Sequence, residues 1–247
     1  MPRRVAWLTK VLPVLVGVQF LAIDVHAAAP STPPGLTAFA GVTWASDYRF
    51  NGTSNSAGHP IVQGFVHVVA PRVMYAGLFA SQVDFEDPND TSAELDIYAG
   101  RAFQTKDTEL RLELMYLAFD ESVPGPTYDF WQVKAAVHKS VGLSQIGARF
   151  VYTPEAPYGS GPQAQFVVEG SWRFQNNWSL FASGGHGFAA NANDRNYGEI
   201  GIEWNWRHIR ATVRWAASDV PRARCLSRQG CDAAFIVSIS LLSWRTN

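Results

Sequence analysis

Charged side chains recur two residues apart inside apolar runs of this chain. Glu94 and Asp96 flank Leu95, and Asp47 and Arg49 flank Tyr48. Arg111 and Glu113 are set among Leu110, Leu112 and Leu114, while Arg210 and Arg214 stand four apart. On a strand, residues two or four apart share a face. Each group therefore makes a charged row backed by an apolar face. Such rows can pair with one another or bias the charge of a passing solute. Acid pairs also serve general acid–base catalysis, but nothing here completes a catalytic set. In Ser183-Gly184-Gly185-His186-Gly187 the Ser and His are three apart, so on a strand they face opposite ways and cannot pair. The chain is expected not to be an enzyme and to need no cofactor. Cys225 and Cys231 lie in a polar, Arg-rich stretch without the Cys-x-x-Cys spacing or nearby His that zinc would use. A disulfide is expected there, and no metal.

Strands hold these rows in place. After about residue 35, segments of roughly ten residues alternate apolar and polar, with turn-rich stretches between them. The segments are 36–50, 60–70, 73–85, 92–103, 108–120, 128–139, 143–153, 163–174, 178–188, 196–206, 208–218 and 232–244. The connections between them alternate short and long, and the long ones are rich in Gly, Pro, Asn and Asp. This is the pattern of an all-β fold, an antiparallel up-and-down transmembrane β-barrel of about twelve strands. Following the alternation puts Asp47, Asp84, Glu94, Asp96, Glu113, Glu169, Glu199 and Glu203 inside, with Arg49, Arg111, Lys134, Arg149, Arg173, Arg210 and Arg214. A basic residue on the lipid face costs about 2–4 kcal/mol at the midplane, which constrains the register. Like-signed rows facing opposite-signed rows would set a transverse field across the lumen. Aromatics near strand ends, among them Trp44, Tyr48, Tyr75, Phe85, Trp131, Trp172 and Trp206, are expected to form interfacial girdles.

The N-terminus reads as a signal peptide. Arg3, Arg4 and Lys10 precede a short apolar run to Ile23, and Ala27-Ala28-Ala29 offers a cleavage site. We expect residues 1–28 to be removed and 29–247 to form the barrel. Mean hydropathy is -0.06, as expected when polar lumen residues dilute lipid-facing ones. The net charge of -1 gives no reason to expect nucleic acid.

Val42-Thr43-Trp44-Ala45-Ser46-Asp47-Tyr48-Arg49-Phe50-Asn51-Gly52-Thr53-Ser54 resembles the N-terminal signature of the TorF family of porins, which reads like Ser-Asp-Tyr-x-Phe-Arg-Gly-x-Ser. The likeness continues through Tyr75–Ser81, Glu94–Gly100 and Gly198–Trp204. It departs at Asn51, where the family has Arg, and at the end, Trp244-Arg245-Thr246-Asn247, which lacks a terminal aromatic. The resemblance implies a bacterial outer-membrane barrel acting as a porin and brings no catalytic residues. With the residue pattern, it leads us to expect a passive channel for small polar or ionic solutes with a charge-balanced lumen. Asp47, Arg49, Glu94, Asp96, Arg111, Glu113, Arg210 and Arg214 would line it. The partners expected are outer-membrane lipid, the solutes, and the barrel-assembly machinery during insertion. A closed structural barrel whose loops bind a partner, or less readily a barrel enzyme acting on lipid or peptide, would fit the same alternation.

Overall fold

The computed structural model describes residues 35–70, 74–87, 90–120, 128–157, 160–222, 225 and 230–244. The expected signal peptide lies outside them. The wall strands are β1 (Thr37–Ala45), β4 (Ile61–Ala70), β5 (Met74–Gln82), β6 (Ala93–Gln104), β7 (Thr108–Phe119) and β8 (Phe130–Val141). They continue with β9 (Ser144–Ala156), β10 (Gly161–Gln175), β11 (Trp178–Ala189), β12 (Arg195–Trp206), β13 (Ile209–Ser218) and β14 (Ala234–Trp244). Each pairs antiparallel with its sequence neighbours, and β1 pairs with both β4 and β14. The twelve strands thus close on themselves, and no edge is left with unpaired backbone groups. Among the described residues there is no α-helix.

The alternation decides the two faces. Leu95, Ile97, Leu112, Leu114, Val133 and Ile239 are 42–51% exposed on the outside, a surface suited to lipid and costly in water. Glu94, Asp96, Glu113, Lys134, Glu203 and Arg214 are buried inside. Phe103, Trp172, Trp178 and Trp206 point outward near the short-turn end, and Trp44, Trp131, Tyr152 and Trp215 near the long-loop end. These are the girdles. Tyr48, Tyr75 and Phe85 do not join them: all three are buried inside the barrel. Position near a strand end does not select a face, whereas strand parity does.

The interior is filled unevenly. Phe39, Val69, Tyr75, Tyr98, Met115 and Leu117 form an apolar cluster along β1 and β4–β7. A second cluster of Ala45, Tyr48, Ile61, Val83, Phe85 and Tyr128 lies at the long-loop end. Most ion pairs lie instead on the wall from β7 to β13.

The long connections are braced by side chains. Asp120 accepts hydrogen bonds from the backbone N–H of Ser92 (2.8 Å) and Ala93 (2.6 Å) and from the Ser92 hydroxyl (2.7 Å). Partial burial alone would raise its pKa, but these bonds together outweigh that and hold it below the ordinary value. A depressed folded-state pKa stabilises above the unfolded value of about 3.9, and the contribution is lost as pH falls through the folded value. Amide exchange at Ala93, corrected for the intrinsic pH dependence, should accelerate as pH falls through the folded value of Asp120, with no change between pH 5 and 8.

Candidate functional site

The expected first strand stops early. At Ser46 the chain leaves the wall, after the Ser46 hydroxyl accepts a hydrogen bond from the N–H of Val237 (3.0 Å). It then folds inward as a short hairpin, β2 (Arg49–Phe50) and β3 (Thr53–Ser54). Asn51 and Gly52 form its two-residue turn, with φ of 51° and 77°. That is the left-handed pair a type I′ hairpin turn requires, and Asn-Gly is its preferred sequence. The departure at Asn51 therefore suits this chain's own turn. A side chain at Gly52 would also strike the Ala217 carbonyl.

Asp47 and Arg49 organise this hairpin rather than the wall. Asp47 accepts from Arg49 Nε (2.7 Å), Ser54 Oγ (2.5 Å) and Ser56 Oγ (3.0 Å). Both charged residues are at most 6% exposed. Arg49 also donates to the carbonyls of Gly52 and Asp232, and the Ser54 N–H donates to Gly230 O (2.6 Å). Tyr48, fully covered, reaches Glu94 on β6. The hairpin thus spans the long-loop end from β6 to the 219–233 connection. Asp84, expected inside, lies in the second long loop, half exposed beside His59 (3.1 Å).

Cys225 and Cys231 are joined by a disulfide, with Cα atoms 5.8 Å apart. The two residues flanking Cys231 carry the acceptors that hold the hairpin, so the bridge backs it. A ring this small is worth about 2 kcal/mol in chain entropy. The double variant Cys225→Ser, Cys231→Ser should keep a folded barrel, while limited proteolysis within 46–60 and 219–233 speeds up.

Below the hairpin, bases meet acids on neighbouring strands. Lys134 pairs with Glu113 (3.5 Å), Arg149 with Glu169 (3.5 Å), Arg214 with Glu199 (3.4 Å) and Arg210 with Glu203 (3.6 Å). Arg111 pairs with Glu109, and His138 with Glu169 (2.6 Å). The expected field between a row of Arg210 and Arg214 and a row of opposite sign is therefore absent, because each charge is neutralised along the wall. The exceptions lie at the long-loop end. Among the described residues, Glu94 and Asp96 have no cation within ion-pair distance; Lys134 acts on them from farther away. Arg195, which falls in a loop between the expected strands, faces inward with no carboxylate partner among the described residues. Strands β6 and β12 stand on opposite sides of the closed ring. A transverse polarity does exist, but Arg195 supplies its positive end.

Between these walls lies a cavity of about 300 Å³. Phe50, Phe85, Phe119, Tyr128, Phe130 and Gln132 line it on the side of the hairpin, the second long loop and β7–β8, and Thr153, Gln163, Gln165 and Arg195 line it on the side of β9, β10 and β12. Ser183 shares the inward face with its ladder partner Glu199, whereas His186 points outward against Phe188. The two do not meet. Among the described residues no three His, Cys, Asp or Glu side chains converge as metal ligands would.

A closed twelve-strand antiparallel barrel with an apolar exterior and a charged interior defines the class of transmembrane β-barrels. In fold it resembles the KdgM porin, solved in complex with disordered oligogalacturonate (TM-score 0.58, 5% identity, covering 84% of this chain and 99% of that one). The chain belongs to the Gcw_chp family, described as a bacterial protein of unknown function, whose model matches residues 27–239. Similar folds also include the COG4313 outer membrane channel from Pseudomonas putida F1 (TM-score 0.51, 9% identity, 85% of this chain and 95% of that one). The P. putida toluene transporter TodX is a further one (TM-score 0.51, 9% identity, 87% and 91%). At such identities the likeness is one of fold. No curated protein sequence matches the chain.

Proposed function

We propose that residues 29–247, freed of the signal peptide, form a passive outer-membrane channel for small polar or ionic solutes, narrowed at its outer end by the hairpin. The observation that carries this reading is the division of the interior. One side is packed with apolar side chains, while the β7–β13 wall carries ionisable groups neutralised in pairs between neighbouring strands. Glu94 Oε2 and Asp96 Oδ1 have no donor among the protein groups, and carboxyl oxygens at that depth are satisfied by water, a cation or a proton shared between neighbours. A lumen built only for rigidity would gain nothing from them. The short turns would then face the periplasm and the long loops the exterior. The sequence likeness to TorF-family porins supports the same assignment, as does a fold shared with a porin solved in complex with disordered oligogalacturonate and with a toluene transporter. Asp47 and Arg49 would hold the constriction; Glu94, Asp96, Arg111, Glu113, Arg210 and Arg214 would line the passage.

The test is single-channel recording of the refolded mature protein in a planar bilayer under a KCl gradient. Small discrete steps are expected, with a weak preference for cations, since the unpaired acids outnumber the unpaired base. A folded, inserted protein without steps would overturn the channel. It would favour the second reading, a closed barrel acting through its loops, which draws on the depth to which the hairpin is buried.

A further inference from the structure

We propose that the cavity at the long-loop end is a binding site for a hydroxylated ring carboxylate, a sugar acid of one or two rings. The proposal names the solute class of the channel and rests on that reading only for where the ligand goes next. A volume of about 300 Å³ is at the small end of ligand pockets.

Arg195 is the anchor. It stands directly opposite Gly187 in the β11–β12 ladder. A Cβ on Gly187 would lie 3.5 Å from Arg195 Cγ and 3.6 Å from Nε. The arginine stem is therefore laid along the wall over a glycine, and no described carboxylate claims its guanidinium. The other inward bases on β7–β9 and β13 each have an acid partner. A guanidinium left open in a cavity favours a carboxylate, which it can hold through two parallel hydrogen bonds.

The rest of the lining selects the body of the ligand. Gln163 makes no side-chain hydrogen bond with the described residues and lines the cavity. Gln165 accepts from the Tyr197 hydroxyl (3.1 Å), which leaves its amide nitrogen to donate. Thr153, in contact with Gln132 (3.4 Å), adds a hydroxyl. So many neutral donors and acceptors suit a ligand with several hydroxyls and would be left unpaired by a bare aromatic acid. Facing them, Phe85 and Tyr128 lie with ring centroids 4.8 Å apart and Phe85 and Phe119 5.7 Å apart. A sugar ring has a C–H face that packs on such rings and edges that hydrogen-bond. Glu94, on the far side, repels a carboxylate, so the acid end must point to Arg195.

The test is equilibrium binding to the refolded mature protein in detergent, by calorimetry or saturation-transfer NMR, with sodium glucuronate, glucose, sodium benzoate and phenylalanine as probes. Saturable glucuronate binding is expected in the millimolar range, at least about tenfold tighter than glucose, as a charged hydrogen bond would give. Arg195→Gln should erase the difference between glucuronate and glucose, and Arg195→Lys should keep part of it. Gln163→Leu should weaken both sugars alike and leave benzoate unchanged. Retention of the compact, SDS-resistant band of the unheated sample on gels shows that each variant is folded. Equal binding of glucuronate and glucose, tighter binding of benzoate or phenylalanine, or no saturable glucuronate binding would each overturn the site. None of these readouts needs ion flow, so the channel reading stands or falls separately by its conductance.

Discussion

Asp47→Ala should open the barrel without unfolding it. The carboxylate is the hub of the hairpin, holding Arg49, Ser54 and Ser56 at once. Removing it leaves a buried guanidinium without its acid, a loss of about 3–5 kcal/mol for a pair this deep. A hairpin with two residues in each arm has little stability of its own, so the loss exceeds what keeps the segment folded inward. The wall is untouched, because Asp47 takes no part in its ladders. We expect the single-channel conductance to rise several-fold and the 46–60 segment to become a protease target, with the gel mobility of the folded barrel retained. Asp47→Asn, which can still accept from the serines, should fall between. If proteolysis shows the segment released and the conductance is unchanged, the hairpin is not the constriction.

Lys134→Met should have the largest effect on the wall itself. The ammonium lies 3.5 Å from Glu113 and also acts on Asp96, and the residue is 4% exposed. Methionine fills a similar volume but leaves two carboxylates on β6 and β7 short of their cation. Breaking a buried pair from one side costs about 3–5 kcal/mol, which urea unfolding in detergent micelles can read. The variant should also shift the reversal potential toward stronger cation preference, because negative charge is gained where Glu94 and Asp96 already lack ion pairs. Lys134→Met together with Glu113→Gln should regain most of the stability, since both partners are then neutral. A single variant as stable as the parent would mean that water already screens the pair.

Strand number, antiparallel order and the face of nearly every side chain were legible in the sequence. The reason is local: alternation has a period of two wherever a strand runs. Leu110 to Leu114, with Arg111 and Glu113 inward, needs no partner to be understood. The same local rule explains the main miss. Alternation through Asp47, Arg49 and Phe50 reads alike for a longer β1 and for a hairpin, and only the turn at Asn51 and Gly52 separates them. That the hairpin points into the barrel depends on Asp232 and Gly230, some 180 residues away. Arg195 was missed because it sits at the seam of a loop and β12, where element boundaries are least readable.

Strand parity, readable along the chain, sorts the charges of the wall strands to their inner face. Which of those charges meet follows from the packed barrel. Arg214 finds Glu199 and Arg210 finds Glu203 through the register of β12 on β13, and Glu94 stands across from Arg195 because twelve strands close into a ring. Strand parity is a property of the backbone, whereas register and closure arise from pairing between distant segments. The pairing leaves a polar pocket between Glu94 and Arg195, and the alternation that built its walls carries no trace of it.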